Sequence, residues 1–162
     1  MDVKLQKATI SDAASLLEMQ KACFAEHLRR YEDFETSPAM ATVENVLYVL
    51  ENDFLYKILY NNSWVGSINI RKLETLESYK LHMIYILPEY QNKGIGQKAI
   101  KQAESLFPSA QLWFLETLED MPLNRHVYEN MGYHFTGQTE KINDKLTIVF
   151  YEKAVSDKSK LC

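Results

Sequence analysis

The stretch ILPEYQNKGIGQKAI, residues 86–100, places Gly94 and Gly96, two of the chain's five glycines, one residue apart. An apolar run, residues 83–86, precedes it, and apolar residues at helical spacing follow the glycines until Pro108. Those positions are Ile95, Ala99, Ile100, Ala103 and Phe107. The order predicts a strand, a tight glycine turn and a helix. Because a helix N-terminus presents unpaired N–H groups and glycine lets an anion approach the backbone, the stretch predicts a phosphate site.

Length and composition indicate one globular domain. The chain has 162 residues, of which 46% are hydrophobic and 25% are charged, and a chain of this size can bury a substantial core. We expect residues 1–154 to form a single domain and residues 155–162 to be a frayed tail. No apolar run approaches the roughly 18 residues that a membrane span needs, so we expect no membrane association.

The N-terminus, the cysteines and the net charge indicate the cellular location of the protein and exclude some classes of partner. Residues 1–10 alternate polar and apolar side chains and lack the apolar core of a signal peptide. Cys23 and Cys162 are the two cysteines and form no disulfide framework, which favours a reducing, cytoplasmic location. The net charge of −4 argues against nucleic-acid binding, which requires a basic face. The histidines and cysteines show no metal-ligand spacing, so we expect no metal.

Hydrophobic periodicity predicts strands and helices in alternation. Residues 3–10 predict a first strand, and a helix with an apolar stripe follows a cap at Thr9, Ser11 or Asp12. We expect the polar segment 28–39 to be a loop. The remaining predicted elements are a helix over 42–50, strands over 54–60 and 63–71 joined by a turn at 61–62, a strand over 80–86, a helix from 95, a strand over 111–117, a helix from 120 or 122 to 132, and strands over 133–139 and 145–152.

Two nucleotide-binding loops can be compared with the glycine turn. Nothing in the chain fits the P-loop pattern G-x-x-x-x-G-K-[ST]. In the dinucleotide pattern G-x-G-x-x-G, Ala99 stands at the third glycine position, and alanine is sometimes tolerated there, so the spacing leaves this alternative open. Position in the chain argues against it, because such a unit normally comes first and here helices and a hairpin precede it.

The segment Gln91-Asn92-Lys93-Gly94-Ile95-Gly96, after Ile86-Leu87-Pro88, resembles the acetyl-CoA signature of the GNAT superfamily of N-acetyltransferases, Q/R-x-x-G-x-G/A after a V-x-P strand end. Asn124 and the segment YENMGY, residues 128–133, resemble that family's N…Y-E-x-x-G-F/Y segment. The predicted order of elements matches as well, so the resemblance covers essentially the whole chain. It implies an α/β (α+β) fold with a mixed, mostly antiparallel sheet of about six to seven strands flanked by about four helices.

The resemblance also implies a binding mode for acetyl-CoA, in a V-shaped opening between the strands 80–86 and 111–117. The backbone N–H groups of residues 92–97 would converge on the pyrophosphate. The backbone of Ile84 and Ile86 would pair with the pantetheine arm, and the Ile86 N–H would polarise the thioester carbonyl. The implied cofactor-binding residues are Ile84, Ile86, Gln91, Asn92, Lys93, Gly94, Ile95, Gly96, Gln97, Asn124 and Tyr128.

Tyr128 is the residue that the resemblance places at the reaction. Attack of an amine on a thioester expels a thiolate, whose conjugate acid has a pKa near that of cysteine, about 8.5. A phenol at the sulfur can donate a proton to it. Asn124 lies one helical turn before Tyr128 on the same face, so both can reach the cofactor. A tyrosine in a short helix is otherwise most often a packing residue.

His82 and Glu116 are alternative candidates for the base that takes the proton of the amine. Strand alternation places His82 on the same face as Ile84 and Ile86, and Glu116 ends the neighbouring strand near the opening. The competing interpretations are a packed strand histidine and a solvated strand end. In the histone-type branch of the family a glutamate occupies the position of Lys80, so the base of that branch does not transfer to this chain.

The acceptor pocket is expected between the first two helices and the final hairpin. The segment 26–35 contains Tyr31, Glu32, Asp33 and Glu35, which suit a cationic amine, although a charge run is more often a solvated face. The resulting hypothesis is an acetyl-CoA-dependent N-acetyltransferase that acts on a primary amine of a small molecule or peptide by direct attack in a ternary complex. The alternative is a non-catalytic acyl-CoA-binding regulatory module. Dimers are frequent in the family, so the resemblance makes a homodimer one possible assembly, and the sequence does not decide the oligomeric state.

Overall fold

Strands and helices follow one another in the predicted order in the computed structural model, which describes residues 2–75 and 77–155. The strands are β1 (Val3–Lys7), β2 (Phe54–Tyr60), β3 (Ser63–Lys72), β4 (Ser78–Ile86), β5 (Leu112–Leu118), β6 (His134–Asn143) and β7 (Leu146–Ala154). The helices longer than one turn are α1 (Ala13–Tyr31), α2 (Val43–Asn52), α3 (Ile95–Ser105) and α4 (Pro122–Asn130). Over the described residues this confirms the predicted mixed fold.

The strands form one sheet of seven in the order β1-β2-β3-β4-β5-β7-β6. All neighbouring strands are antiparallel except β4 and β5, which run parallel. This parallel pairing starts at Ser78 with Leu112 and stops at Leu81 with Leu115. Beyond that point the two strands separate towards their carboxyl ends, which is where a ligand crevice forms between strands of a sheet. The predicted opening between these strands is therefore present.

Helices cover both faces of the sheet. On one face, α3 buries Ile95, Ala99 and Ile100 in the main core cluster, which also contains Ile68 of β3 and Trp113 of β5. On the other face, a second cluster holds α1 and α2 against the sheet, and its buried members are Ala8, Ala13, Leu16, Val46 and Leu55. Burying a large aliphatic side chain contributes about 1.5–3 kcal/mol. These two layers fix the helices on either side of the opening.

The first strand and the first helix end elsewhere than predicted, the strand because of a local hydrogen bond and the helix because of a tertiary contact. The first strand ends at Lys7 rather than residue 10, because the Thr9 N–H donates to Asp12 Oδ2 at 2.9 Å and starts a helical turn. Helix α1 continues to Tyr31 although the segment from residue 28 was expected to be a loop. Tyr31 is 3% exposed and its hydroxyl donates to Asp120 Oδ1 at 2.8 Å, which favours the extra turn of helix.

A β-bulge in β4 corrects the predicted orientation of His82. The register pairs Asn69 with Met83 and Ile70 with Leu81, so β4 carries His82 as one extra residue. Such a residue reverses the alternation of the side chains that follow it. Ile84 and Ile86 consequently pack on the α3 side, whereas His82 lines a cavity on the side of α1 and α2. The expectation that His82 shares a face with both isoleucines is wrong.

The hairpin turn between β2 and β3 is confirmed. Asn61 and Asn62 both have positive φ, at 48° and 69°, which is the conformation of the two-residue turns that join antiparallel strands. Val155 is the one described residue of the tail that was expected to fray, and its N–H donates to the Gln111 carbonyl at 2.9 Å. The rest of that predicted tail lies outside the described residues.

Candidate active site

The glycine turn leaves open space above the N-terminus of α3. Gly94 precedes the helix with a φ of 81°, and Asn92 also has a positive φ of 62°. A Cβ added at Gly94 would meet nothing within 4 Å, and one added at Gly96 would meet only Ile84 Cδ1, at 4.0 Å. The first N–H groups of a helix lack internal partners. The turn therefore fits an anionic group placed against the backbone.

A cavity of about 310 Å³ lies at this turn, and we name it the turn cavity. It is lined by the glycine turn, the end of β4, α1 and α4. Of the predicted cofactor-binding residues, the structure brings together Ile84, Ile86, Gln91, Asn92, Gly94, Ile95, Gly96, Gln97, Asn124 and Tyr128 at its wall. Lys93 is the predicted residue that does not line it. The Gln91 side chain donates to the Ile86 carbonyl at 2.9 Å and so ties the turn to the strand.

The free edge of β4 borders the turn cavity. The Leu87 N–H donates to the Val65 carbonyl at 2.8 Å, towards β3. Alternate residues of a strand direct their N–H and C=O groups to the same edge, so Ile84 and Ile86 direct theirs to the other edge. Pairing with β5 has already ended there, at Leu81. An extended chain with amide groups can therefore add to this edge between the two strands.

A second cavity of about 340 Å³, the outer cavity, lies on the other side of the opening. Its wall includes the end of α1, the following loop, the diverging ends of β4 and β5, and β7. Six residues line both this cavity and the turn cavity, namely Phe24, His27, Ile84, Met121, Asn124 and Tyr128. Asn124 and Tyr128 therefore line the junction of the two cavities, where a molecule bound in one cavity would contact a molecule bound in the other.

Tyr128 keeps its proton in this environment. Burial raises the pKa of its hydroxyl above the ordinary value of 10.0. Its ring packs edge-on against Tyr133, with the ring centroids 6.3 Å apart. A phenol that stays neutral at physiological pH can donate a hydrogen bond or a proton, but it does not act as a base.

The two predicted bases are both placed at the opening, in different surroundings. Glu116 lines the outer cavity and accepts from Lys80 Nζ at 2.7 Å, so a cation already compensates its charge. His82 lines the outer cavity as well, and burial together with the charges of Arg71 and Lys80 lowers its pKa to about 4. The ring is consequently neutral at physiological pH.

His27 is a site residue that the sequence analysis missed. It lines both cavities, and its ring lies between Phe24 and Tyr31 with centroids 5.8 Å and 6.1 Å away. Burial, followed by the charge of Arg30, lowers its pKa below 6.5, so the neutral ring can accept a proton. The available signal was a histidine inside the apolar stripe of α1.

Asp33 belongs to the acidic segment that suits a cationic amine but was interpreted mainly as a solvated face, and the structure separates it from that face. Its side chain is buried, with 8% of the residue exposed, and it lines the outer cavity. The carboxylate accepts the Thr36 N–H at 2.9 Å and the Thr36 hydroxyl. Glu32 of the same segment instead lies exposed and pairs with Lys145. A threonine three residues after an aspartate was the signal for this buried turn.

Within residues 2–75 and 77–155, no three His, Cys, Asp or Glu side chains are grouped so as to hold a metal ion. The expected absence of a metal stays a prediction. No helix in this part of the chain is long and apolar enough to cross a membrane.

Comparison with known proteins gives one family match and one partial relative. Residues 14–133 match the model of the "Acetyltransferase (GNAT) family". The uncharacterized protein YrkN of Bacillus subtilis (strain 168) is 32% identical over 81 residues, which are 49% of this chain and 44% of that protein. The match therefore spans less than half the length of that relative.

Solved structures share the fold over nearly the whole chain. The ribosomal-protein-S18-alanine N-acetyltransferase of Escherichia coli has a TM-score of 0.76 at 10% identity, covering 96% of both chains. The PaiA N-acetyltransferase of Thermoplasma acidophilum, in complex with coenzyme A, has a TM-score of 0.70 at 15% identity, covering 96% of this chain and 100% of that one. The putative acetyltransferase yncA of Salmonella typhimurium, with acetyl-CoA, has a TM-score of 0.70 at 14% identity, covering 97% and 96%.

Proposed function

Because the chain belongs to the acetyltransferase (GNAT) family, we propose that it transfers the acetyl group of acetyl-CoA to a primary amine of a small molecule or peptide by direct attack in a ternary complex. The observation that carries this proposal is the junction of the turn cavity and the outer cavity at Tyr128 and Asn124. Two separate cavities that meet at a proton donor suit a reaction between two bound substrates.

The turn cavity is the proposed site of acetyl-CoA, which supplies an acetyl group on a thioester. The two related folds described with coenzyme A or acetyl-CoA support this choice. Open space at Gly94 and Gly96 provides room for the pyrophosphate against the N–H groups of α3. The backbone groups of Ile84 at the free edge of β4 pair with the amides of the pantetheine arm, and the Ile86 N–H donates to the thioester carbonyl oxygen, while the Ile86 carbonyl stays bonded to Gln91.

Tyr128 is the proposed proton donor to the departing sulfur. Its raised pKa keeps the hydroxyl protonated at physiological pH, and Tyr128 lines both cavities. Asn124, one turn earlier on α4, holds its amide at the same wall, where its Nδ2 lies 3.8 Å from Met121 Sδ. General acid catalysis of this kind contributes about 10²–10⁴-fold to a rate.

Three residues are candidates for the base that takes the proton of the amine. Glu116 is engaged by Lys80, and His82, with a pKa of about 4, is a weak base. His27 is neutral at physiological pH and lines both cavities, so we favour it over the two residues predicted from the sequence. Because His27 also lines the turn cavity, His27→Gln should lower kcat by a larger factor than it lowers acetyl-CoA affinity. If Glu116 or His82 is the base instead, kcat should fall in Glu116→Gln or in His82→Gln and not in His27→Gln.

Tyr128→Phe tests the proposal against the regulatory alternative. The free thiol released from acetyl-CoA in the presence of a panel of primary amines reports turnover, and thermal unfolding with acetyl-CoA reports binding. A ligand at a hundredfold excess over its Kd stabilises the native state by about 2.7 kcal/mol. We expect wild-type turnover, about 10²–10⁴-fold lower kcat in Tyr128→Phe, and an unchanged stabilisation by acetyl-CoA.

Other results would favour different functions. Stabilisation by acetyl-CoA without turnover of any amine would indicate the non-catalytic acyl-CoA-binding module. Stabilisation by NADH but not by coenzyme A would indicate the dinucleotide alternative. The single domain over residues 1–154, the cytoplasmic location and the homodimer stay predictions, and sedimentation of the purified chain measures the last of these.

A further inference from the structure

A third cavity of about 260 Å³, the inner cavity, lies between the sheet and the helices α1 and α2. Its wall includes Ser67 and Asn69 of β3. It adjoins the outer cavity along the residues that line both, which are Thr36, Ser37, Pro38, His82 and Met83. A molecule whose reactive end lies at Tyr128 in the outer cavity therefore has a second compartment available beyond His82.

Two buried polar atoms at this wall have no hydrogen-bond partner among the described residues, Asn69 Oδ1 and His82 Nδ1. Asn69 is only 3% exposed. Its amide nitrogen is already used, since Nδ2 donates to Asp53 Oδ2 at 3.1 Å, and this bond leaves the amide oxygen as the unpaired atom. Buried polar atoms are nearly always paired, so an unpaired acceptor at a cavity wall indicates a missing donor.

The neighbouring cations do not supply that donor. Arg71 is held by Asp53 at 3.0 Å, and Lys80 is held by Glu116 at 2.7 Å. The His82 ring is neutral, and a neutral imidazole has one nitrogen without a proton, which accepts a hydrogen bond. When the ring proton is on Nε2, both unpaired atoms at this wall are hydrogen-bond acceptors. A bound molecule with two donor groups would satisfy them.

We propose that the inner cavity is a second compartment of the acceptor site, and that it binds the far end of an elongated amine through N–H groups that donate to Asn69 Oδ1 and His82 Nδ1. The assignment rests on the proposed function, because it places the near amino group at Tyr128. The remaining charged groups agree with an N–H donor, since Asp33 lines the outer cavity and Glu35 lines the inner one. The acceptor class is a linear primary amine with a second nitrogen at its other end.

Three amines of equal chain length test the proposal: a linear diaminoalkane, an alkylamine and an ω-amino acid. In wild type we expect kcat/KM for the diaminoalkane to exceed that of the alkylamine on the order of tenfold, with the ω-amino acid lowest. His82→Phe keeps a ring of similar volume and removes Nδ1, so the preference for the diaminoalkane should fall on the order of tenfold, through KM. A base at His82 would instead lower kcat for all three amines alike.

Ser67→Ala is the matched control, because Ser67 lines the same cavity but its hydroxyl already donates to the Tyr56 carbonyl at 3.1 Å. The preference for the diaminoalkane should be unchanged in it. Asn69→Ser, which removes Oδ1 and keeps a small polar side chain, is the second test variant if His82→Phe does not fold. It should reduce the preference in the same direction.

Calorimetric binding of the three amines, with and without coenzyme A, separates the compartment from the proposed function. Tighter binding of the diaminoalkane than of the alkylamine, weakened in His82→Phe, supports the compartment even if no amine is acetylated. Acetylation of the alkylamine without any preference for the diaminoalkane leaves the proposed function standing and overturns the compartment. Equal binding of both, no binding of any probe, or a preference that survives both variants also overturns it and indicates a cavity that holds only water.

Discussion

The two sides of the opening between β4 and β5 are built from different parts of the chain. The turn cavity is shaped by backbone, namely the positive φ angles of Asn92 and Gly94, the space at Gly96 and the free edge of β4. The outer and inner cavities are shaped by side chains from α1, the loop after it, β3, β4 and β5. A backbone site depends on glycine at fixed spacing, whereas a side-chain site depends on contacts between distant segments. The first can be recognised in a short stretch of sequence and the second cannot.

The largest expected effect belongs to the side-chain region and appears in acid. Burial, Arg71 and Lys80 lower the pKa of His82 from 6.5 to about 4, against the opposing charges of Asp53 and Glu116. A histidine with a lowered folded pKa binds its proton more tightly when the chain is unfolded. Its contribution to stability is therefore present above pH 6.5 and is lost as the pH falls towards 4. The difference corresponds to about 3 kcal/mol of unfolding free energy.

Urea unfolding of wild type and His82→Phe at a series of pH values between 6.5 and 4 measures this loss. The wild-type curve should fall more steeply than that of the variant. His134→Phe is the control, because His134 is exposed at the start of β6. It should keep the wild-type slope. Identical slopes for wild type and His82→Phe would show that the ring is not held in a buried, neutral state.

The next effect tests whether the turn cavity depends on backbone. Gly96→Val should lower acetyl-CoA affinity about a hundredfold, equal to about 2.7 kcal/mol. The reason is that a side chain at this position occupies the space proposed for the pyrophosphate. The nearest atom to an added Cβ is Ile84 Cδ1 at 4.0 Å, so we expect the unfolding free energy to change by less than about 1 kcal/mol. Calorimetric titration with acetyl-CoA and urea unfolding measure the two quantities.

Gly66→Ala is the comparison variant, because Gly66 is a glycine that strand packing requires. It should lower the unfolding free energy, whereas Gly96→Val should lower the affinity for acetyl-CoA. A Cβ at Gly66 would meet the Tyr85 carbonyl oxygen at 2.1 Å, so the strands must move apart. We expect a loss of about 3 kcal/mol of stability. Wild-type affinity for acetyl-CoA in Gly96→Val would contradict the backbone interpretation of the turn cavity.

The same contrast explains how far the sequence predicts this molecule. The strand, glycine turn and helix over residues 86–100 follow from local spacing, and the positive φ of Asn61 and Asn62 follows from the turn that an Asn-Asn pair adopts. Tertiary contacts decide the rest. The last turn of α1 depends on a hydrogen bond from Tyr31 to Asp120, 89 residues away. Periodicity cannot contain that information, because the partner lies outside any local window.

The candidate site also has one part that the sequence predicts and another part that it does not. Ten of the residues at the turn cavity were predicted from the resemblance carried by two motifs, the glycine turn and the segment from Asn124 to Tyr133, and Lys93 is the predicted residue that lies outside the cavity. His82 was assigned to the wrong face, because a bulge is a property of strand pairing and leaves no mark in the alternation of one strand. His27 was missed, and Asp33 was not distinguished from the exposed charges of its segment, because neither residue belongs to a motif. Their placement at the outer cavity follows only from the packing of α1 and its loop against the opening.

A smaller effect is expected from Asp33→Asn, which removes a charge and keeps an acceptor for the Thr36 N–H. If Asp33 attracts the amine, KM for the amine should rise about tenfold, within the range of one charged hydrogen bond. The affinity for acetyl-CoA should not change, because Asp33 does not line the turn cavity. Glu32→Gln is the matched control, since Glu32 is the exposed neighbour that pairs with Lys145. Equal KM values in the two variants would assign the amine to another group.

The smallest effect is expected from Lys93, and its size tests the backbone interpretation most directly. Lys93 belongs to the acetyl-CoA signature, but its side chain is exposed and does not line the turn cavity. An exposed charge contributes about 0.2–1 kcal/mol, so Lys93→Gln should weaken acetyl-CoA binding by less than about fivefold at low salt. The difference should disappear at about 1 M salt, where the Debye length is about 3 Å. A much larger loss of acetyl-CoA affinity that persists at high salt would mean that a side-chain charge, rather than the N–H groups of α3, binds the pyrophosphate. The turn cavity would then depend on side chains as the outer and inner cavities do, and the contrast between the two sides of the opening would be wrong.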